Sequence, residues 1–331
     1  MTPARYKTRL TELLGIRHPI LCGGLMYLAD ANYVAAVVNA GAMGFITAKT
    51  FPDPDAFRAE LRRCGELTGG KPFGVNLYFS QQPGANEVLR GHTEILLEEG
   101  VRVVETSGLP PKAALPALKE AGCTVIHKVS AVRHALSAQK LGVDALTVVG
   151  AECGGHPGIY LVGTMVQGLV AAQKLHLPLA IGGGVGHGAQ LVAALAFGAD
   201  AVVLGTRMTV AKEIWAHPAY KECLIEANET DTRLILHSLR NTYRALDNET
   251  ARAVAAIEAE GVTDYERYRP LVAGALQKEA YETGDWNKGI LSVGQSAAFA
   301  TAVQPVEDII DQLLAEAAAA EARLAGVAAA E

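Results

Sequence analysis

The sequence predicts a (β/α)8 TIM barrel with a helical insertion after its eighth strand. Three observations carry that expectation. Eight short apolar runs rich in β-branched residues are each followed by a stretch with helical spacing. Successive runs begin roughly 20 to 30 residues apart, the size of a βα unit. The first turn reads Cys22-Gly23-Gly24-Leu25, without the Gly-x-Gly-x-x-Gly pattern that opens a doubly wound dinucleotide-binding sheet.

In chain order, residues 18–22 read as the first strand, stopped by Gly23 and Gly24; residues 31–39 follow as a helix ended by Gly41, a natural C-terminal cap. The second strand is 42–46, and the helix at 55–64 has Asp53 or Asp55 in place to accept from its free N–H groups. Strands at 73–77, 101–105 and 123–128 alternate with helices at 87–99, 112–121 and 131–141. The sixth strand, 145–149, leads to a helix at about 163–175, the seventh, 178–181, to a helix at 190–197, and the eighth is 201–204. The composition then changes. From about Lys212 to Asn287 charge is denser, Trp215, Trp286 and several tyrosines appear, and helical spacing without a strand pattern predicts an insertion packed over the barrel mouth. Residues 1–211 and 288–331 then make the barrel, closed by an Ala/Glu helix from Pro305 to about Ala325.

The chain has 331 residues, half of them hydrophobic, so a large core is available. Its net charge is −6 with 19% charged residues and no long run of one sign. That balance argues against a nucleic-acid or membrane-surface partner and for a small molecule. The first residues lack the apolar stretch of a signal peptide and no apolar segment is long enough to span a bilayer, so a cytoplasmic location is expected. Five cysteines, at 22, 64, 123, 153 and 223, form no Cys-x-x-Cys pair, which argues against a disulfide framework and a structural zinc site.

The chemistry concentrates in the turn after the sixth strand, where Gly150, Gly154, Gly155 and Gly158 surround Glu152, Cys153 and His156. Glycines let the backbone turn sharply and let a flat ligand approach. In a barrel the carboxyl ends of the strands form the active face, which places Cys22, Asn76, Glu105, Lys128, Glu152 and His156 together there. After the seventh strand, residues 182–188 hold five glycines in seven positions, and Gly205-Thr206-Arg207 follows the eighth. Bare N–H groups of these loops and a helix N-terminus are expected to bind phosphate. A phosphate site there and a reactive loop across the mouth suit an extended ligand such as flavin mononucleotide (FMN). Gly23, Gly24, Asn76 and Lys128 would surround its ring; Lys128 has an equal reading as a salt-bridge partner of Glu105 or Glu152. Cys153 is read as a packing residue, with a nucleophilic thiol as the alternative.

Together, Pro19-Ile-Leu-Cys-Gly-Gly24, Gly74-Val-Asn-Leu77, His127-Lys128, the 150–158 loop, the 182–188 loop and Leu204-Gly-Thr-Arg207 resemble the nitronate monooxygenase family, formerly called 2-nitropropane dioxygenases. The likeness spans nearly the whole chain, including His237 to Thr242 in the insertion. It implies FMN and O₂, oxidation of alkyl nitronates to a carbonyl compound and nitrite, and His156 as the catalytic base. FMN contacts implied by it are Gly23, Gly24, Asn76, Lys128, Gly150, Gly183, Gly184, Gly205 and Thr206; Leu25, Glu152, Gly155, Gly182 and Gln295 complete the candidate set, and no metal ligand is assigned. Relatives act as NAD(P)H:quinone or enoyl-thioester reductases, so NAD(P)H stands as an alternative electron donor, and a homodimer is left open. The chain departs from the family's pattern at Cys22 (commonly Gln), Leu25 (Met), Gly182 (Ser) and His187 (Asp), which bears on the polar lining and therefore on substrate.

Overall fold

The structure is a computed structural model describing residues 5–80, 84 and 86–328. Eight parallel strands close into a barrel: β1 (Ile20–Cys22), β2 (Met43–Thr47), β3 (Gly74–Phe79), β4 (Val103–Gly108), β5 (Thr124–Val129), β6 (Ala145–Val149), β7 (Leu179–Gly182) and β8 (Ala201–Leu204). Closure is made by β8 pairing with β1, with Leu21 opposite Val203 and Cys22 opposite Leu204.

Before β1, the short helix α1 (Arg9–Leu14) is capped by Thr8 and places Leu10 and Leu14 in one apolar cluster with Leu21, Met43, Phe45, Ile126 and Val203, which fills the barrel's amino-terminal end. Thr8 and Arg9 anchor that plug on Asp200, just ahead of β8. Around the ring run α2 (Ala31–Asn39), α3 (Pro54–Leu67), α4 (Val88–Glu98), α5 (Leu115–Glu120), α6 (Val132–Leu141), α7 (Thr164–Lys174) and α8 (Gly188–Phe197). Asp53, not Asp55, caps α3, accepting from Ala56 N at 2.8 Å.

Strand parity sorts the residues. Leu21, Phe45, Val103, Ile126, Ala145 and Val203 point inward, while Ile20, Cys22, Val75, Val104, Leu146 and Val148 face the helices. One step further along the inner face, β1 and β8 continue into Gly23 and Gly205, where no side chain fills the space, and there the barrel opens.

Beyond β8 come α9 (Pro218–Glu226), β9 (Thr232–Ile235), β10 (Tyr243–Leu246), α10 (Glu249–Ala259), α11 (Tyr265–Val272), α12 (Gly274–Thr283) and α13 (Val306–Val327). The insertion is therefore not purely helical: β9 and β10 form an antiparallel hairpin with Tyr243 opposite Ile235. Each strand is four residues long and no tight Asn-Gly type turn joins them, so the local pattern carries little strand signal. As expected, α13 packs against α8 and α2, the place of an eighth helix. Among the described residues no helix is long and apolar enough to cross a membrane.

Candidate active site

The carboxyl ends of the strands open into a cavity of about 740 Å³, a size typical of cofactor and small-molecule sites. Gly23, Tyr78, Ser107, Lys128, Val149, Val203 and Gly205 line its depth; the 153–156 loop, the hairpin turn and α12 line its sides.

His156 stands on the loop after β6, and that loop is clamped from the insertion. Gly155, at φ +81°, exchanges two backbone hydrogen bonds with Arg244 of β10. The Arg244 guanidinium also donates to Ala151 O at 3.0 and 3.1 Å and to Thr232 Oγ1 at 2.9 Å. Glu152 turns away from the cavity, its carboxylate accepting from Thr164 N and Oγ1 and so capping α7. The His156 ring meets the Tyr243 ring edge to face at 4.9 Å, and Tyr243 is itself tied to Ser292 through its hydroxyl. Among the described residues neither ring nitrogen has a protein hydrogen-bond partner. The imidazole is exposed to the open cavity; desolvation by the protein packed around the loop, with Lys49 second, lowers its pKa to about 4. At neutral pH it is an uncharged base with its nitrogens free. Burial pushes the neighbouring Cys153 thiol up to about 12, opposite to what a nucleophilic cysteine needs.

Lys128 projects into the cavity and its partner is Glu105: Nζ donates to Oε2 at 2.9 Å, and Asn76 Nδ2 donates to the same oxygen at 2.6 Å. Glu105 is fully buried, and its Oε1 has no partner among the described residues. The Asn76 side chain packs beneath Gly24, where an added Cβ would come within 2.7 Å of Asn76 Cβ and 2.9 Å of Thr47 Oγ1. Only a bare backbone fits there.

Gly183 and Gly184 adopt φ +97° and +73°, a region open to glycine. An added Cβ on Gly183 would meet Gly150 N at 2.8 Å. The expected contribution of the α8 N-terminus is not free, however. Gly186 N and His187 N donate to Gln190 Oε1, Gly188 N to Glu316 Oε2, and Ala189 N to His187 Nδ1, so His187 acts as the cap. The N–H groups of Gly184, Gly205 and Thr206 have no acceptor among the described residues and border the cavity. They give the cavity wall a patch of unpaired donors made of backbone alone.

The nitronate monooxygenase family matches residues 7–316. The chain belongs to that family. Its relatives and neighbours mark it as an oxidoreductase. A (3aS,4S,5R,7aS)-5-hydroxy-7a-methyl-1-oxo-octahydro-1H-indene-4-carboxyl-CoA dehydrogenase of Mycobacterium tuberculosis is 34% identical over 224 residues, covering 67% of this chain and 61% of that protein. A probable nitronate monooxygenase of Staphylococcus saprophyticus is 27% identical, covering 88% and 92%. Among solved structures, FabK from Thermotoga maritima superposes with a TM-score of 0.89 at 33% identity, covering 98% of this chain and all of that one. Nitroalkane oxidase from Streptomyces ansochromogenes gives 0.81 at 26%, covering 95% and 99%.

Of the residues expected from the sequence, this family member brings Gly23, Gly24, Leu25, Lys128, Cys153, Gly155, His156, Gly183, Gly184, Gly205 and Thr206 to one cavity. Asn76, Gly150, Glu152, Gly182 and Gln295 do not line it; Gln295 instead pins the loop from behind, its N–H donating to Glu152 O at 3.0 Å. Cys22 is corrected outright. Its parity sends the thiol outward against Tyr33, and burial raises its pKa to about 12. His127 is buried too, its Nδ1 held by Thr106 Oγ1 at 2.8 Å. Tyr78, Arg133, Tyr160, Tyr281 and Ser292 line the cavity without having been expected there, as do Arg240 and Thr242 of the stretch that carries the resemblance in the insertion. For Tyr78 the signal was available: it lies two residues after Asn76 on the same strand face.

Proposed function

We propose that this protein is an FMN-dependent enzyme that oxidises alkyl nitronates with O₂ to a carbonyl compound and nitrite. The observation that carries the reading is a neutral imidazole with free nitrogens on one wall of a cavity whose other wall is a cradle of bare N–H groups. The residues fit the group. Gly184, Gly205 and Thr206 would hold the phosphate through backbone donors, Gly23 and Gly24 would let a flat ring lie against the strand ends, and Lys128 would supply a positive charge beside it. When bound, the flavin supplies the electron acceptance and the oxygen chemistry that no side chain here can.

The chain's own part is proton transfer and placement. When the substrate arrives as the neutral nitroalkane, His156, neutral at working pH, accepts the proton from the carbon bearing the nitro group and so leaves the nitronate. Tyr243 packs against its ring and Arg244 fixes its loop, so the nitrogen is presented from a set position. Lys49, whose ammonium lies 5.1 Å from the centre of the Tyr78 ring and near enough to lower the His156 pKa, adds a positive potential that favours an anionic nitronate.

A second reading, an FMN-dependent NAD(P)H:quinone or enoyl-thioester reductase, is favoured by one observation: the cavity, about 740 Å³, also takes in the exposed Arg133 and Arg240, more room than a small nitronate needs. Anaerobic mixing separates the two. Bleaching of the flavin absorbance by a nitronate and not by NADH or NADPH supports the first reading, and rapid bleaching by NADH or NADPH with none by nitronate overturns it.

A further inference from the structure

We infer that Arg133 and Arg240 form a second anion subsite at the cavity mouth, one that takes a phosphoryl group of the ligand lying outside the flavin. The cavity's lining includes Lys128, Arg133, His134, His156 and Arg240 and, among the described residues, no aspartate or glutamate. In a chain of net charge −6 that is a pronounced local bias. Elsewhere the arginines are commonly paired with acids, as Arg9 is with Asp200, Arg58 and Arg62 with Glu99, and Arg233 with Asp247. Among the described residues neither rim guanidinium meets a carboxylate.

Arg133 is held in place without being neutralised. Its guanidinium carbon lies 4.6 Å from the centre of the Tyr160 ring, Nη1 donates to the Tyr160 hydroxyl at 2.8 Å, and Nε donates to His134 Nε2 at 3.2 Å. Tyr160 is 59% exposed, so burial does not account for its position; bracing the guanidinium does. The residue after it, Leu161, sits at φ +48°, a conformation that costs a non-glycine residue free energy. Arg133 and His134 also lie in the first turn of α6, the helix end at which a cation is disfavoured. A bound anion relieves that repulsion. Arg240, likewise at left-handed φ (+52°), reaches the same cavity from the hairpin turn.

The subsite is separate from the glycine cradle, which belongs to the loops after β7 and β8. Its forked donors suit a phosphate or diphosphate, a chemistry shared by nicotinamide dinucleotides and coenzyme A thioesters. It rests on the cavity being the flavin site only in that the cradle should be filled while the rim is probed.

The test is isothermal titration of the flavin-loaded protein with coenzyme A, with ADP-ribose and with inorganic phosphate, for the wild type, Arg133→Ala, Arg240→Ala and the double variant. Flavin content and melting temperature are recorded on each sample. One of the two organic ligands should bind at least about tenfold tighter than inorganic phosphate, and each substitution should weaken it roughly ten- to hundredfold, as loss of charge-assisted hydrogen bonds does. A coenzyme A preference identifies a thioester, an ADP-ribose preference a dinucleotide. Organic ligands no tighter than inorganic phosphate, or affinity unchanged in the double variant, overturn the inference. Protein that takes up no flavin would count against the proposed function alone; the titrations are then run in saturating inorganic phosphate, which fills the cradle, and the dependence on the two arginines is still read.

Discussion

Gly205 separates a glycine needed for folding from one needed for a ligand. Its φ is −124° and its ψ −91°, between the extended and helical regions rather than left-handed, and an added Cβ would find no atom of the described residues within 4 Å. Gly205→Ala should therefore add no steric clash, and its cost to the flavin-free protein is the backbone's alone, about 1–3 kcal/mol for a sparsely populated conformation. The same methyl lies on the cavity wall beside the free N–H groups of Gly205 and Thr206. If those donors hold a phosphate, displacing it by a methyl's width loses at least one charge-assisted hydrogen bond, about 1.5–3 kcal/mol, or roughly a ten- to hundredfold rise in the Kd for FMN. Gly183→Ala is the control: at φ +97° with backbone atoms 2.8 Å from the new Cβ, it should lower the melting temperature of the flavin-free protein too. The assay is fluorescence titration of deflavinated protein with FMN beside a melting curve. An unchanged FMN Kd in Gly205→Ala would refute the cradle.

Two further outcomes follow from the same geometry. Because the base must be uncharged and the His156 pKa is lowered to about 4, kcat/KM for a neutral nitroalkane should stay level as pH falls through 6.5 and be lost only as it falls through about 4; an acid limb at 6.5, the ordinary imidazole value, contradicts the desolvated site. Arg244→Met removes the donors to Ala151 O and Thr232 Oγ1, which should cost roughly 1.5–3 kcal/mol of stability and lower kcat while flavin content is kept. Unaltered kcat in a stably folded variant would show that β10 does not position His156.

The barrel was legible because parallel strands covered on both faces appear as continuous apolar runs, and the helices between them end at glycines such as Gly41, Gly142 and Gly198. The β9–β10 hairpin was not, since its pairing is fixed by docking Arg244 on Gly155 rather than by a local turn. That the 182–188 loop borders the cavity was visible in its glycine count, through Gly183 and Gly184. That the α8 N-terminus is already occupied was not, because Glu316 reaches it from 128 residues along the chain. Cys22 was misplaced by a parity slip: with Leu21 inward the thiol must face α2. Arg244 gave no signal at all, for its partners are main-chain oxygens and a hydroxyl, which any sequence could supply.

The central claim is that the free imidazole of His156 is the base of a nitronate-forming site. Its most direct test is nitrite release by flavin-loaded His156→Asn, assayed on a neutral nitroalkane and on the corresponding preformed nitronate. The account predicts a loss on the nitroalkane of about 10²- to 10⁴-fold, the usual contribution of a general base, and a much smaller loss on the nitronate, which has no proton left to give. Equal losses on both substrates would contradict it.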